Sequence, residues 1–258
     1  MPNDDQTRPL GTQAEGVFAS GGPGVRPASI EWTASSAGPR SADFGDIYFA
    51  ADGLAESRHV FIGGSRIAER IAAGGDIVIA ETGFGSGLNF LAAWDAWLSR
   101  DMGNCGRLTF VSCEFRPMRK DDLARSHATF PEISALSARL VDAYPALVAG
   151  PHDIDLDEGV RLRLIFDEAA AFRFETFTAD AWFLDGFAPS RNPEMWRCEL
   201  LAAVAARSRP GTRAATFTVA GAVRRGLQCV GFDVEKRPGF GQKREMLTAT
   251  FVGPSRHD

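Results

Sequence analysis

The stretch Asp76-Ile-Val-Ile-Ala-Glu-Thr-Gly-Phe-Gly-Ser-Gly-Leu-Asn89 decides how the rest of the chain is read. Ile77 to Ala80 is an unbroken run of strand formers, and Glu81 puts a carboxylate where that run ends. Gly83, Gly85 and Gly87 then alternate ahead of an amphipathic segment, Leu88 to Leu98. The pattern predicts strand, tight turn and helix. Alternating glycines let the backbone take positive φ and let a ligand approach the first helical N–H groups with no Cβ atoms in the way.

A dinucleotide fingerprint would place G-x-G-x-x-G after the strand and its acidic residue about 20 positions on. Here the spacing is G-x-G-x-G, and Glu81 already precedes the first glycine. A carboxylate in that place suits an ammonium group, so the amino-acid moiety of S-adenosylmethionine fits the loop better than NAD. A glycine turn that serves only close helix–strand packing fits the same residues.

Working outward, 258 residues with 45% hydrophobic and 24% charged content suit one large α/β domain, with or without a small appendage. No apolar run is long enough to span a membrane and no secretory signal is read at the start, so a cytoplasmic protein is expected. Cys105, Cys113, Cys198 and Cys229 have no C-x-x-C spacing and the four histidines no H-x-H or H-E-x-x-H pair, which argues against a disulfide framework or a metal site. Net charge is -5, but it is unevenly spread: residues 209–258 carry nine Lys/Arg against four Asp/Glu. A basic C-terminal face that tracks phosphates, or simply a solvated surface, fits that asymmetry.

Residues 1–27 hold five glycines, four prolines and one aromatic, Phe18, and read as a disordered tail. Ile30-Glu-Trp32, Phe44-Gly-Asp-Ile-Tyr-Phe49 and Ser57-Arg-His-Val-Phe-Ile62 read as short strands of a β region or lid over 28–75, ahead of a main domain over 76–252 and a short tail, 253–258. Arg107 to Glu114 is a second buried strand ending on a carboxylate, placed either to accept both hydroxyls of a ribose or to sit near solvent or pair with Arg116. Met118 to Leu140 is helical with a break at Pro131. Val160 to Phe166 is a third strand ending on Asp167 and Glu168, and Asp180 to Asp185 a fourth, followed by a fixed loop over Gly186 to Pro193 and a helix from Glu194 to Arg207. Thr212 to Val219, a helix from Ala222 to Val230, and strands Phe232 to Lys236 and Glu245 to Val252 complete the chain. The layout predicts a Rossmann-like Class I S-adenosylmethionine-dependent methyltransferase: a seven-stranded, mostly parallel sheet closed by an antiparallel hairpin.

Several stretches resemble one family: Asp46-Ile-Tyr-Phe49, Asp52-Gly-Leu54, Val60-Phe-Ile-Gly-Gly64, Glu81 to Leu91, Trp182-Phe-Leu-Asp-Gly-Phe-Ala-Pro189, Asn192-Pro-Glu-Met-Trp196, Ala215-Thr-Phe-Thr218, Val223-Arg-Arg-Gly-Leu227 and Lys236 to Met246. Together they are similar to the methyltransferase domain of the bifunctional MnmC proteins, which build 5-methylaminomethyl-2-thiouridine at the tRNA wobble position. The resemblance implies methyl transfer from S-adenosylmethionine to the exocyclic amine of 5-aminomethyl(-2-thio)uridine. It implies Glu81, Thr82, Gly83, Gly85, Gly87 and Asn89 around the methionine part, Glu114 on the ribose, and Asp167 or Glu168 at the adenine, with Glu168 preferred. It departs at Phe115, where the family has lysine, and in length, since no FAD-dependent oxidase module follows; a separate FAD-dependent oxidoreductase would then act on the same nucleoside.

Methyl transfer needs a neutral amine in line with the S–CH3 bond. Asp185 is the candidate catalytic residue, orienting that amine and receiving its proton, and it also borders the cofactor. Phe187 and Pro189 are expected to wall the substrate pocket and Tyr48 to enclose it. Arg224, Arg225, Lys236, Arg237, Lys243 and Arg244 are the expected phosphate contacts to tRNA. The competing readings are an NAD-linked oxidoreductase, a small-amine N-methyltransferase and a non-catalytic tRNA-binding subunit.

Overall fold

A computed structural model describes residues 23–32, 38–100 and 105–253. Residues 1–22 of the expected tail, and 254–258, lie outside these. Pro23 to Val25, counted with the tail, are tied to the body: Ala149 N–H donates to Pro23 O at 3.0 Å and Val25 N–H to Leu147 O at 3.1 Å.

β1 (Ile30–Trp32), β2 (Pro39–Ser41) and β3 (Asp46–Ile47) form a small antiparallel sheet. Ser57 to Ile62 is helical and not a strand: α1 (Gly53–Ser57) runs into a π-helical turn, Arg58–Gly63, and α2 (Ile67–Ala72) follows. Leu54, Ser57, Val60 and Phe61 are all buried, a spacing of three to four residues that lays one helical face on the core. Phe61 meets Phe183 with ring centroids 5.3 Å apart. Tertiary packing of that face overrides the strand preference of its β-branched and aromatic residues.

The main sheet is built from β4 (Ile77–Glu81), β5 (Leu108–Cys113), β6 (Gly150–Asp157), β7 (Val160–Phe166), β8 (Ala179–Phe183), β9 (Ser208–Thr216), β10 (Phe232–Pro238) and β11 (Glu245–Phe251). Its order is β10-β11-β9-β8-β4-β5-β7-β6. β4, β5, β7, β8 and β9 are parallel to their neighbours in that group, and the two ends are antiparallel. The sheet has eight strands where seven were expected. The extra one, β6, is an edge strand whose acids alternate with other residues, so its sequence reads as loop; Asp153 and Asp155 pair with Arg163 and Arg161 of β7.

Helices α3 (Leu88–Leu98), α4 (Lys120–His127) and α5 (Ser134–Ala143) follow β4 and β5, and α6 (Cys198–Ala206) and α7 (Gly221–Cys229) flank β9. The helix expected over Glu194 to Arg207 is broken: Pro193–Trp196 is a 3₁₀ turn, Arg197 is extended (φ -67°, ψ 155°), and α6 starts only at Cys198. Two apolar layers sandwich the sheet, one centred on Phe90, Trp94, Trp97 and Phe110, the other on Trp182, Phe172 and Leu200. Each such fully buried aromatic is worth about 1.5–3 kcal/mol of transfer free energy. No helix among the described residues is long and apolar enough to cross a membrane.

What positions the site is the reversal of strand order. From β4 the chain goes to β5 and β7 on one side, then returns to β8 and β9 on the other. Ligands of open α/β sheets bind in the crevice beyond the carboxyl ends of the strands at such a switch point. Glu81 ends β4, and Asp185 lies two residues past β8.

Candidate active site

The glycine loop is shaped as its sequence demands. Gly85 (φ 51°) and Gly87 (φ 71°) are left-handed, and Gly87 is the residue from which α3 starts. A Cβ on Gly85 would lie 3.3 Å from the Tyr48 ring, and one on Gly83 would lie 3.4 Å from both Asp185 O and Met195 Cε, so the loop is closely covered from above. Beneath it sits a brace that the sequence did not reveal. His127 Nε2 donates to Ser86 O at 2.6 Å, which leaves Nδ1 to accept from the Ser137 hydroxyl at 2.7 Å. Burial holds this imidazole below its ordinary pKa, so the neutral ring is the stable form.

Three carboxylates meet at the loop. Glu81 is fully buried; Oε1 accepts from Asn89 Nδ2 at 2.9 Å and Oε2 from the Ser112 hydroxyl at 2.8 Å. Burial, then the charge of Asp185, pushes its pKa well up. Asp185 Oδ2 accepts from the same Asn89 nitrogen at 2.6 Å, and Oδ1 from Gly186 N–H at 2.8 Å. The Asp185 backbone carbonyl accepts from the Thr82 hydroxyl at 2.6 Å. Burial raises Asp185 to about 6 against two hydrogen bonds that lower it. Glu114 accepts from Gly85 N–H at 2.7 Å and Arg116 N–H at 2.8 Å, and burial lifts it to about 7. Asn89, in the first turn of α3, spends its amide group on joining Glu81 to Asp185.

These groups open into a cavity of about 750 Å³. Its far wall comes from the N-terminal segment. Phe187 lies between Phe44 and Tyr48, with ring centroids 4.9 and 5.1 Å away. Ala188 N–H donates to Asp46 at 3.0 Å, which fastens the small sheet to the loop after β8. Burial, then the Glu114 charge, drives the Tyr48 phenol upward, so it stays a neutral donor.

The structure therefore brings Tyr48, Glu81, Thr82, Gly83, Gly85, Asn89, Glu114, Asp185 and Phe187 together at one place, and Gly87 shapes the loop from behind. Glu168 lines the cavity, whereas Asp167 accepts from Glu168 N–H at 2.7 Å and is not part of the lining. Pro189 does not line the cavity either; of that loop Gly186, Phe187 and Ala188 do. The six cations also divide. Lys243 lines the cavity and pairs with Glu56 at 2.6 Å. Lys236 and Arg237 lie outside it, paired with Glu245 and Glu235. Arg224, Arg225 and Arg244 are exposed and make no ion pair among the described residues. Sequence reasoning missed Phe44, Asp46, Glu56, Arg173 and Met195, which reach the cavity only through tertiary folding. Among the described residues no group of three or more His, Cys, Asp or Glu is placed to hold a metal ion.

Comparison with known proteins gives the family and the fold. A family model described as S-adenosyl-L-methionine-dependent methyltransferase matches residues 131–251. The chain is 50% identical over 214 residues, 82% of its length, to the tRNA 5-methylaminomethyl-2-thiouridine biosynthesis bifunctional protein MnmC of Caulobacter vibrioides. It is 47% identical over 234 residues, 88% of its length, to the protein of the same name from Marinobacter nauticus. It spans little more than a third of those relatives, 36% and 37% of their lengths. In fold it is similar to the crystal structure of MNMC2 from Aquifex aeolicus, with a TM-score of 0.70 at 24% identity, covering 91% of this chain and 75% of that one.

Proposed function

The chain belongs to the S-adenosyl-L-methionine-dependent methyltransferase family, among the relatives of MnmC, and from that premise we propose that it methylates the exocyclic amine of 5-aminomethyl(-2-thio)uridine at the tRNA wobble position. One observation carries the reading: Asn89 joins the cofactor-side carboxylate Glu81 to Asp185 at the mouth of an aromatic-walled cavity.

The residues present fit the cofactor. Glu81 is a fully buried carboxylate whose hydrogen-bond partners are the neutral Asn89 and Ser112, so the site lacks the cation that an amino-acid ammonium brings. Glu114, with two backbone N–H groups on it, keeps lone pairs for ribose hydroxyls, and Glu168, which lines the cavity, is the acid assigned to the adenine. S-adenosylmethionine supplies an electrophilic methyl group. The chain supplies position and a proton acceptor. An aliphatic amine with a pKa near the lysine reference of about 10.4 is neutral in only about one molecule in a thousand at pH 7. Asp185, lifted to about 6, is ionised at that pH and still basic enough to take the proton that the nitrogen releases as its lone pair forms the new N–C bond. Phe187 and Tyr48 enclose the base and exclude water.

Within this reading Arg224, Arg225 and Arg244 meet tRNA phosphates, the protein works in the cytoplasm, and an FAD-dependent oxidoreductase, on this or another chain, exposes the amine. Transfer of tritium from labelled S-adenosylmethionine to bulk tRNA, followed by nucleoside analysis, tests it. Label is expected in 5-methylaminomethyl(-2-thio)uridine; label on another nucleoside, or on free small amines alone, would overturn it.

A further inference from the structure

Lys243 and Glu56 are 187 residues apart, yet their side chains meet at 2.6 Å inside the lining of the same cavity that holds Asp185. Glu56 comes from α1, and Lys243 from the turn between β10 and β11. The Lys243 ammonium also lies 4.4 Å from the centre of the Phe217 ring, which fixes its direction. Both charges act on Asp185, so the pair stands close to the reaction centre. A lysine intended only for phosphate would stand on the outer face with Arg224 and Arg225. This one, half exposed, presents a donor beside an acceptor in a cavity that Tyr48, Phe187 and Phe217 also line.

We propose that Glu56 and Lys243 read the edge of the target base, Lys243 donating to the uracil O4 and Glu56 accepting from the uracil N3–H. This rests on the methyl-transfer reading above and names the part of that site which selects the base. In uracil the O4 acceptor and the N3–H donor are neighbours, while cytosine presents the reverse pattern, an N4 donor beside an N3 acceptor. A fixed donor–acceptor pair therefore accepts one and leaves the other with unmatched polar groups. The substituent on C5 adjoins O4. With O4 on Lys243, the aminomethyl arm is directed along the cavity to Asp185, so one contact sets both identity and reach.

The test uses anticodon stem-loop RNAs with 5-aminomethyluridine at the target position, the same base methylated at N3, or 5-aminomethylcytidine. The full chain should lose about 30-fold or more in kcat/KM on each altered base. In Glu56→Ala, activity on the parent base falls but the N3-methyl penalty shrinks below about 3-fold. In Lys243→Met, the cytosine penalty shrinks likewise. Glu56→Gln, which keeps an acceptor, should retain part of the discrimination. Equal penalties in wild type and Glu56→Ala, or no penalty in wild type, would overturn the proposal and leave the ion pair as a clasp for the turn. Absence of transfer to the parent RNA by wild type would instead refute the amine-methylation reading itself.

Discussion

Glu114 and Asp185 hold protons more tightly in the folded chain than in the unfolded one, so the fold without cofactor should weaken as pH rises through neutrality. Below about pH 3 both states carry these protons. Between the unfolded value and the folded one, the native chain keeps a proton that the unfolded chain has lost, and each pH unit removes up to about 1.36 kcal/mol of stability. Glu114 climbs from 4.5 to about 7, which sets a ceiling of about 3 kcal/mol. Water entering the open cavity screens the ionised form and brings the expected loss to about 1 to 3 kcal/mol. Asp185, climbing from 3.8 to about 6, adds a loss of the same sign, complete near pH 6. Urea melts at half-unit steps from pH 4.5 to 8.5, on wild type and Glu114→Gln, isolate the Glu114 share. Wild-type stability should fall more steeply than that of the variant between pH 5 and 7.5, and the two curves should run parallel above pH 8. A wild type that gains stability relative to Glu114→Gln as pH rises through this window would refute the reasoning, because it would place the folded pKa below the unfolded one.

The remaining predictions concern chemistry and binding. Asp185→Asn should lower turnover by about 100-fold or more while cofactor affinity, measured by calorimetry, changes only a few-fold; near-normal turnover would remove Asp185 from the proton path. Asn89→Ala should move the acid limb of the kcat/KM profile upward, since Asp185 loses a hydrogen bond that favours its ionised form, and a limb that does not move would leave Asn89 as a packing residue. Glu81→Gln should weaken cofactor binding about 10-fold or more, read by equilibrium dialysis, because a buried ammonium loses its counter-charge. Arg224→Gln with Arg225→Gln should reduce the slope of log affinity against log salt by about 1.4 for a single-stranded loop, and an unchanged slope would clear this helix of phosphate contact.

The gathering of the glycine loop and its carboxylates was legible because its signals are local. Glycines at alternate positions, an acid at each strand end and apolar runs of strand length all lie within a few residues of one another, and the strands fell within a few residues of where they were expected. The substrate half is assembled from distant pieces. Phe44 and Asp46 reach Phe187 and Ala188 across the molecule, and no spacing in the sequence announces it. Of the residues expected at the substrate, Phe187 and Asp185 line the cavity and Pro189 does not, because neighbours along a loop need not face the same cavity. Val60, Phe61 and Ile62 misled for a different reason: three strand formers in a row are equally at home on the buried face of a tight helical turn. Lys243 was counted with the outer cations on net charge alone, and charge counting does not register that a glutamate from α1 pairs with the lysine at the cavity lining.

The bond from Ala188 to Asp46 also bears on the order in which the molecule assembles. It closes a loop of 142 residues, whereas the bond from Gly85 to Glu114 closes one of 29. Loop-closure entropy grows as the logarithm of length, so the first contact costs about 1.4 kcal/mol more to form. The cofactor cradle can thus consolidate while the far wall is still undocked, and the small N-terminal sheet is the natural last arrival. Once docked, it is also the natural first departure: the Ala188 amide should exchange with deuterium through a cheaper opening than the Gly85 amide. Opening of that far wall would release one peripheral sheet and leave the parallel core intact.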